Sequence, residues 1–160
     1  MNKKPYIIFF GSASTKLAKK LAVILKLPTG KKEIVRFANS DYRLRILTKV
    51  KDKNCIIVQS TCNPVNDNLM ELFLLIDTLK RSDARGIIAV IPYFGYSRQH
   101  KNFRQGECVS AEMILKILVS LGANKIITLD FHNLKNTQNF PNHFKNVSAL
   151  PLMARVVAKK

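Results

Sequence analysis

The chain contains no tryptophan, three cysteines, six glycines, six prolines and ten acidic residues among its 160. Each scarcity excludes something. Cys55, Cys62 and Cys108 form no CxxC pair, so neither a disulfide framework nor a structural zinc site is expected. Two of them are read instead as small buried apolar residues. The few glycines and prolines fall without a period, which removes fibrous and repeat architectures. Apolar runs such as Cys55 to Val58 and Gly86 to Ile91 are far short of the roughly 20 residues of a bilayer span. The N-terminus has no apolar segment ending in a cleavage site. No membrane association is expected, and a cytoplasmic location is.

Hydrophobic residues make up 47% and charged residues 23%, the balance of a single soluble domain with room for a core. Twenty-seven basic side chains leave a net charge of +17. The excess sits at the two ends, with residues 54 to 132 almost neutral and no acidic residue beyond Asp130. Lys19, Lys20, Lys31 and Lys32 fit the polar face of a helix and its following loop, so a lysine-rich surface accounts for the charge. A basic nucleic-acid-binding module is the sharper alternative.

Hydrophobic periodicity orders the chain. Tyr6 to Phe10 reads as a strand ending at Gly11, and Ser14 to Leu27 as an amphipathic helix capped at Ser14 or Thr15 and stopped by Pro28 and Gly30. Glu33 to Phe37 and Tyr42 to Leu47 read as a hairpin around Ala38-Asn39-Ser40-Asp41. Three further strands, Cys55 to Ser60, Gly86 to Pro92 and Lys125 to Asp130, alternate with helices from Asp67 to Arg81 and Val109 to Leu121, the latter ending at Gly122. Asn66, Asp67 and Asn68 are read as turn and capping residues, and Glu71 as facing a subunit or the sheet. Alternating strands and helices imply an α/β domain with a mainly parallel sheet. Such sheets bind ligands beyond the carboxyl ends of their strands.

Two of those ends carry chemistry. After Pro92 comes a long polar loop in which Arg98, Lys101 and Arg104 surround Gln99, with Gly95 allowing close backbone approach. Such a loop suits a polyphosphate or is simply a solvated basic loop. Neither GxxxxGK[ST] nor GxGxxG is present. After Leu129 stand Asp130 and His132, two apart, which on extended backbone point to one side. They suit a shared ligand or metal, imidazole favouring several divalent ions and magnesium favouring oxygen.

The segments Gln59 to Leu72, Ile91 to Gln99 and Thr128 to His132 closely resemble the amino-terminal half of ribose-phosphate pyrophosphokinase, also called phosphoribosyl pyrophosphate synthetase. The likeness runs from Phe10-Gly11-Ser12-Ala13 through Arg36-Phe37 to about Pro151. It implies a phosphoribosyltransferase-like domain, a mainly parallel sheet flanked by helices, over residues 1–150, with 151–160 beginning the junction to a C-terminal domain. It implies transfer of the diphosphoryl group of Mg-ATP to ribose 5-phosphate, giving phosphoribosyl pyrophosphate and AMP. Phe37 would stack on adenine, with Asn39, Ser40 and Asp41 beside the base. Arg98 and Gln99 would hold the nucleotide, and His132 with Asp130 the metal, magnesium. The catalytic lysine and most of the ribose 5-phosphate site would lie in the C-terminal domain. A homo-oligomer, or association with a C-terminal half, is implied as well.

The chain departs from the family pattern at several points. Ser40 stands for glycine, Asp41 for glutamate, His100 for aspartate, Cys108 for proline and Glu112 for lysine. Because the catalytic lysine and most of the ribose 5-phosphate site would lie in the C-terminal domain, activity of this chain alone is not expected. An inactive regulatory or vestigial subunit that binds full-length synthetase is the other reading of the resemblance.

Overall fold

The computed structural model describes residues 5–158. Five strands form a wholly parallel sheet: β1 (Tyr6–Phe10), β4 (Asn54–Val58), β5 (Gly86–Ile91), β6 (Lys125–Leu129) and β7 (Phe144–Val147), paired in that spatial order. The other two, β2 (Lys32–Arg36) and β3 (Tyr42–Ile46), make a separate antiparallel ribbon, with Lys32 opposite Ile46 and Arg36 opposite Tyr42. Among the described residues there are also four α-helices: α1 (Thr15–Leu25), α2 (Val65–Arg81), α3 (Ser110–Ser120) and α4 (Leu150–Val157). None is long and apolar enough to cross a membrane.

Side chains alternate across a pleated strand, so each strand feeds two layers. Ile7, Phe9, Cys55, Ile57, Ile87, Ala89 and Ile91 point to the face covered by α2 and α3, where they meet Leu72, Leu75, Ile76, Leu79, Leu115 and Leu118. Full burial of each such side chain contributes about 1.5–3 kcal/mol, so this layer is the main core. On the other face Ile8 and Val58 pack against Ala18 and Ala22 of α1. That single helix leaves Ile88, Val90 and Ile127 half-buried and Leu129 and Val147 exposed. The apolar side chains of α4, Leu152, Met153, Val156 and Val157 among them, are exposed too.

Several boundaries differ from the sequence expectation. Helix α1 begins after a 3₁₀ turn (Ser12–Ser14), and Ser14 supplies no side-chain cap. Its hydroxyl instead accepts from the Ser60 backbone N–H at 2.8 Å. The helix ends where Lys26 turns left-handed at φ 52°, before Pro28. Helix α2 starts at Val65, behind Pro64 as N-cap residue, so Asn66, Asp67 and Asn68 lie within its first turn and cap nothing. Strand β7 and the 3₁₀ turn Leu134–Thr137 were not foreseen. The expected junction segment 151–160 forms most of α4, its last two residues lying outside those described.

Candidate functional site

The loops at the carboxyl ends of β1, β4, β5 and β6 gather along one edge of the sheet, and α2 runs behind them. Its Glu71 is the hub. Buried at 3% exposure, its carboxylate accepts from the Ser12 backbone N–H at 3.0 Å and hydroxyl at 2.6 Å. It accepts also from Gln59 Nε2 at 3.1 Å and Lys32 Nζ at 3.0 Å. Burial alone would raise its pKa, but the Ser12 and Lys32 donors outweigh burial and hold it below the ordinary value. One charged group thus ties the loop after β1, the end of β4 and the β2–β3 ribbon to α2.

Phe37, Asn39, Ser40 and Asp41 form the tip of that ribbon. Phe37 is 46% exposed, with the Arg43 guanidinium 5.8 Å from its ring centroid. Asn39 Nδ2 donates to Asp41 Oδ2 at 2.6 Å, and the Asp41 N–H donates to Asn39 Oδ1 at 3.2 Å, so the two polar groups fix one another. Ser40 lies at φ 71°, a left-handed conformation that glycine adopts without strain, which agrees with the glycine that the family resemblance places there. Between the tip and α2 lies a groove of about 560 Å³ lined by Phe37, Ser40, Asp41, Tyr42, Asn66, Asp67, Met70 and Leu74. A neighbouring concavity of about 590 Å³ shares Asn66 and Asp67 and reaches Tyr96.

The Arg98 loop is built differently. Phe94 is buried beneath it, edge-on to Phe131 at 5.1 Å. The Gly95 N–H donates to Thr61 Oγ1 at 2.7 Å, and a Cβ on Gly95 would come within 2.6 Å of the Thr61 carbonyl oxygen, so only glycine fits there. Tyr96 sits at φ 64°, and its hydroxyl donates to Asn66 Oδ1 at 2.8 Å. Gln99 Oε1 accepts from Ser110 Oγ at 2.9 Å. Arg98 is exposed. His100 and His132 stand with ring centroids 5.4 Å apart, so this loop meets the end of β6.

Among the described residues, no hydrogen bond joins the Phe37 tip to Arg98, Gln99, Asp130 or His132. The sequence-predicted residues therefore fall into two groups within one chain.

The residue 6–122 segment matches the family model for the N-terminal domain of ribose phosphate pyrophosphokinase. The chain belongs to the ribose-phosphate pyrophosphokinase family. Its similarity to the ribose-phosphate pyrophosphokinase of Fusobacterium nucleatum is 37% identity over 96% of this chain and 48% of that protein. With that of Ralstonia nicotianae it is 37% over 100% and 51%, and with ribose-phosphate pyrophosphokinase B of Dictyostelium discoideum 35% over 100% and 49%. The chain spans about half the length of the curated relatives it matches. The solved phosphoribosylpyrophosphate synthetase from Mycobacterium smegmatis superposes with a TM-score of 0.93 at 29% identity, covering 98% of this chain and 52% of that one. The fold is thus phosphoribosyltransferase-like, as the resemblance implied.

Asp130 and His132 do not share an extended strand end. Strand β6 ends at Leu129, and Asp130 turns left-handed at φ 43°, so the argument that Asp130 and His132 share a side on extended backbone does not apply. The Asp130 carboxylate instead accepts from Ser148 Oγ at 2.9 Å and the Ala149 N–H at 3.2 Å, pinning the start of α4. Among the described residues, no cluster of three or more His, Cys, Asp or Glu is placed to hold a metal. What stands beside His132 is an imidazole, a donor poorly matched to magnesium.

Sequence reasoning missed the importance of Glu71 and Lys32. A lone glutamate at an otherwise apolar helix position was the available signal, since a buried carboxylate requires partners. Asn66, Asp67 and Asn68, expected as turn and capping residues, instead bind groups outside the helix. Asn66 receives the Tyr96 hydroxyl, Asp67 pairs with Arg36 at 3.3 Å, and Asn68 bonds Gln59 and the Cys62 carbonyl.

Proposed function

We propose that this chain is the nucleotide-binding half of a ribose-phosphate diphosphokinase. In that reaction the 1-hydroxyl oxygen of ribose 5-phosphate attacks the β-phosphorus of ATP, the bond from that phosphorus to the α,β-bridging oxygen breaks, and AMP leaves. Positioning and charge neutralisation supply most of such catalysis. The observation that carries the reading is the Arg98 loop, a cationic segment locked by Thr61 and Ser110 at the carboxyl end of a parallel strand.

In this reading Arg98 and Gln99 hold the phosphates. Phe37 offers its exposed face to adenine, and the paired Asn39 and Asp41 offer donors and acceptors to the base edge. Because the two groups are separate within the chain, a complete nucleotide site takes the ribbon tip from one copy and the Arg98 loop from a second. The ribose 5-phosphate site and the catalytic lysine belong to the half of the relatives that this chain does not span, so turnover requires that half as well.

Calorimetric titration with ATP, supplied as its magnesium chelate, tests the reading. Binding is expected to be saturable, to tighten as protein concentration rises, and to weaken at least tenfold in Arg98→Ala and Phe37→Ala. Absence of binding, or equal affinity in Arg98→Ala, would overturn it.

A further inference from the structure

The two imidazoles that meet between the Arg98 loop and the end of β6 have no function in the nucleotide reading. His100 and His132 lie 5.4 Å apart between ring centroids, tilted by 58°. Two imidazoles sharing a tetrahedral ion at about 2.0–2.1 Å per nitrogen have centroids roughly 5.2 Å apart. The observed centroid separation is close to that spacing. His100 Nδ1 lies 2.9 Å from the Arg98 carbonyl oxygen. A carbonyl can only accept, so Nδ1 carries a proton, and it is Nε2 that is left to face a metal. A metal-ligating histidine is usually held in this way, its second nitrogen donating to a backbone carbonyl. His132 is exposed, leaving room for water or phosphate oxygens to complete the coordination.

We infer that His100 and His132 form a two-imidazole site for a divalent transition metal of the zinc, cobalt or nickel class, in place of a magnesium-selective one. Imidazole nitrogen favours these ions, whereas magnesium favours oxygen and keeps its waters. The family resemblance places an aspartate where this chain has His100, so this chain sets a second imidazole beside His132. The inference rests on the nucleotide reading for the role of the metal, which would sit beside the loop assigned to the phosphates. It does not need that reading for the binding itself. Lys101 and Arg104, in the same loop, lower the affinity for a bare dication, so micromolar rather than nanomolar binding is expected.

The test is titration of the chain with Co²⁺, followed by its visible absorption, in a Cys108→Ser background so that the exposed Cys108 thiol takes no part. One Co²⁺ per chain should bind, at least a hundredfold more tightly than Mg²⁺ measured by competition. His100→Asp should weaken Co²⁺ at least tenfold and narrow the preference over Mg²⁺, and His132→Gln should weaken Co²⁺ similarly. Circular dichroism checks that both variants stay folded, as exposed-loop substitutions should. Co²⁺ affinity unchanged in His100→Asp, or Mg²⁺ competing at equal concentration, would overturn the inference. ATP binding that fails while Co²⁺ binding persists would sink the nucleotide reading and uphold the metal pair. Intact ATP binding with Co²⁺ indifferent to His100 would do the reverse.

Discussion

The ribbon that carries Phe37 is held to the domain by buried charge, while the loop that carries Arg98 is held by neutral hydrogen bonds and aromatic pegs. Lys32 and Glu71 pair at 3.0 Å with side-chain exposures of 14% and 4%, and Arg36 with Asp67 adds a more solvated pair. The Arg98 loop has no such bridge among the described residues. It rests on Phe94, which packs edge-on to Phe131, which packs edge-on to Phe144, both at 5.1 Å. Gly95, Tyr96 and Gln99 are stitched to Thr61, Asn66 and Ser110. The ribbon can therefore be released by removing a charge or by acid. The loop responds to loss of its packing or of these neutral hydrogen bonds.

The largest effect expected is from Glu71→Ala, which strands the Lys32 ammonium and the Ser12 donors. Breaking a buried charged pair from one side costs about 3–5 kcal/mol, and urea unfolding measures it. Glu71→Gln should cost less and should also flatten part of the acid limb. The Glu71 pKa is lowered in the fold, so its contribution is complete above the ordinary glutamate value of roughly 4.3 and disappears as pH falls through the lower folded value. An unchanged stability profile between pH 5 and pH 2, to within about 0.5 kcal/mol, would show that the ribbon does not depend on this charge.

Phe131→Leu breaks the other side of the comparison. It keeps apolar volume but removes two edge-to-face contacts, each worth about 0.5–1.5 kcal/mol, so a loss of about 1–3 kcal/mol is expected, with no change in the acid limb. A pH-dependent loss would mean that the loop shares the electrostatic mechanism of the ribbon.

The smallest effect is at Ser40, where φ is 71°. Ser40→Gly relieves left-handed strain of about 1–2 kcal/mol against a glycine entropy cost of about 0.5–1 kcal/mol. A net gain of about 0.5 kcal/mol in thermal or urea unfolding is expected. A loss would mean that the serine side chain does more for the tip than the backbone strain costs.

Much of the fold was legible. The apolar runs at Tyr6–Phe10, Cys55–Val58 and Gly86–Ile91 read as strands because their residues are buried on one or both faces. Helix α3 stops at Ser120, and the expected Gly122 takes the left-handed turn just beyond its C-cap Leu121, at φ 114°. Strand β7 was not legible. Phe144-Lys145-Asn146-Val147 has only two apolar residues, and it is a strand because β6 offers it an open edge, with Ile126 opposite Phe144 and Leu129 opposite Val147. The left-handed turn at Asp130 was hidden for a related reason. It is set by the Ser148–Ala149 turn that follows β7, nineteen residues further on at Ala149.

Local sequence determined which segments are strands and helices, because burial periodicity and breaker residues act within a few positions along the chain. It also determined the family, through side chains whose order along the chain is itself the signal. Tertiary structure alone decided which polar groups meet. Glu71 finds Ser12, fifty-nine residues away, and Lys32, thirty-nine away. His100 meets His132 only because β5 and β6 are neighbours in the sheet. Hydrogen bonds, ion pairs and metal sites depend on distance in space, and distance in space is fixed only when the strands take their order.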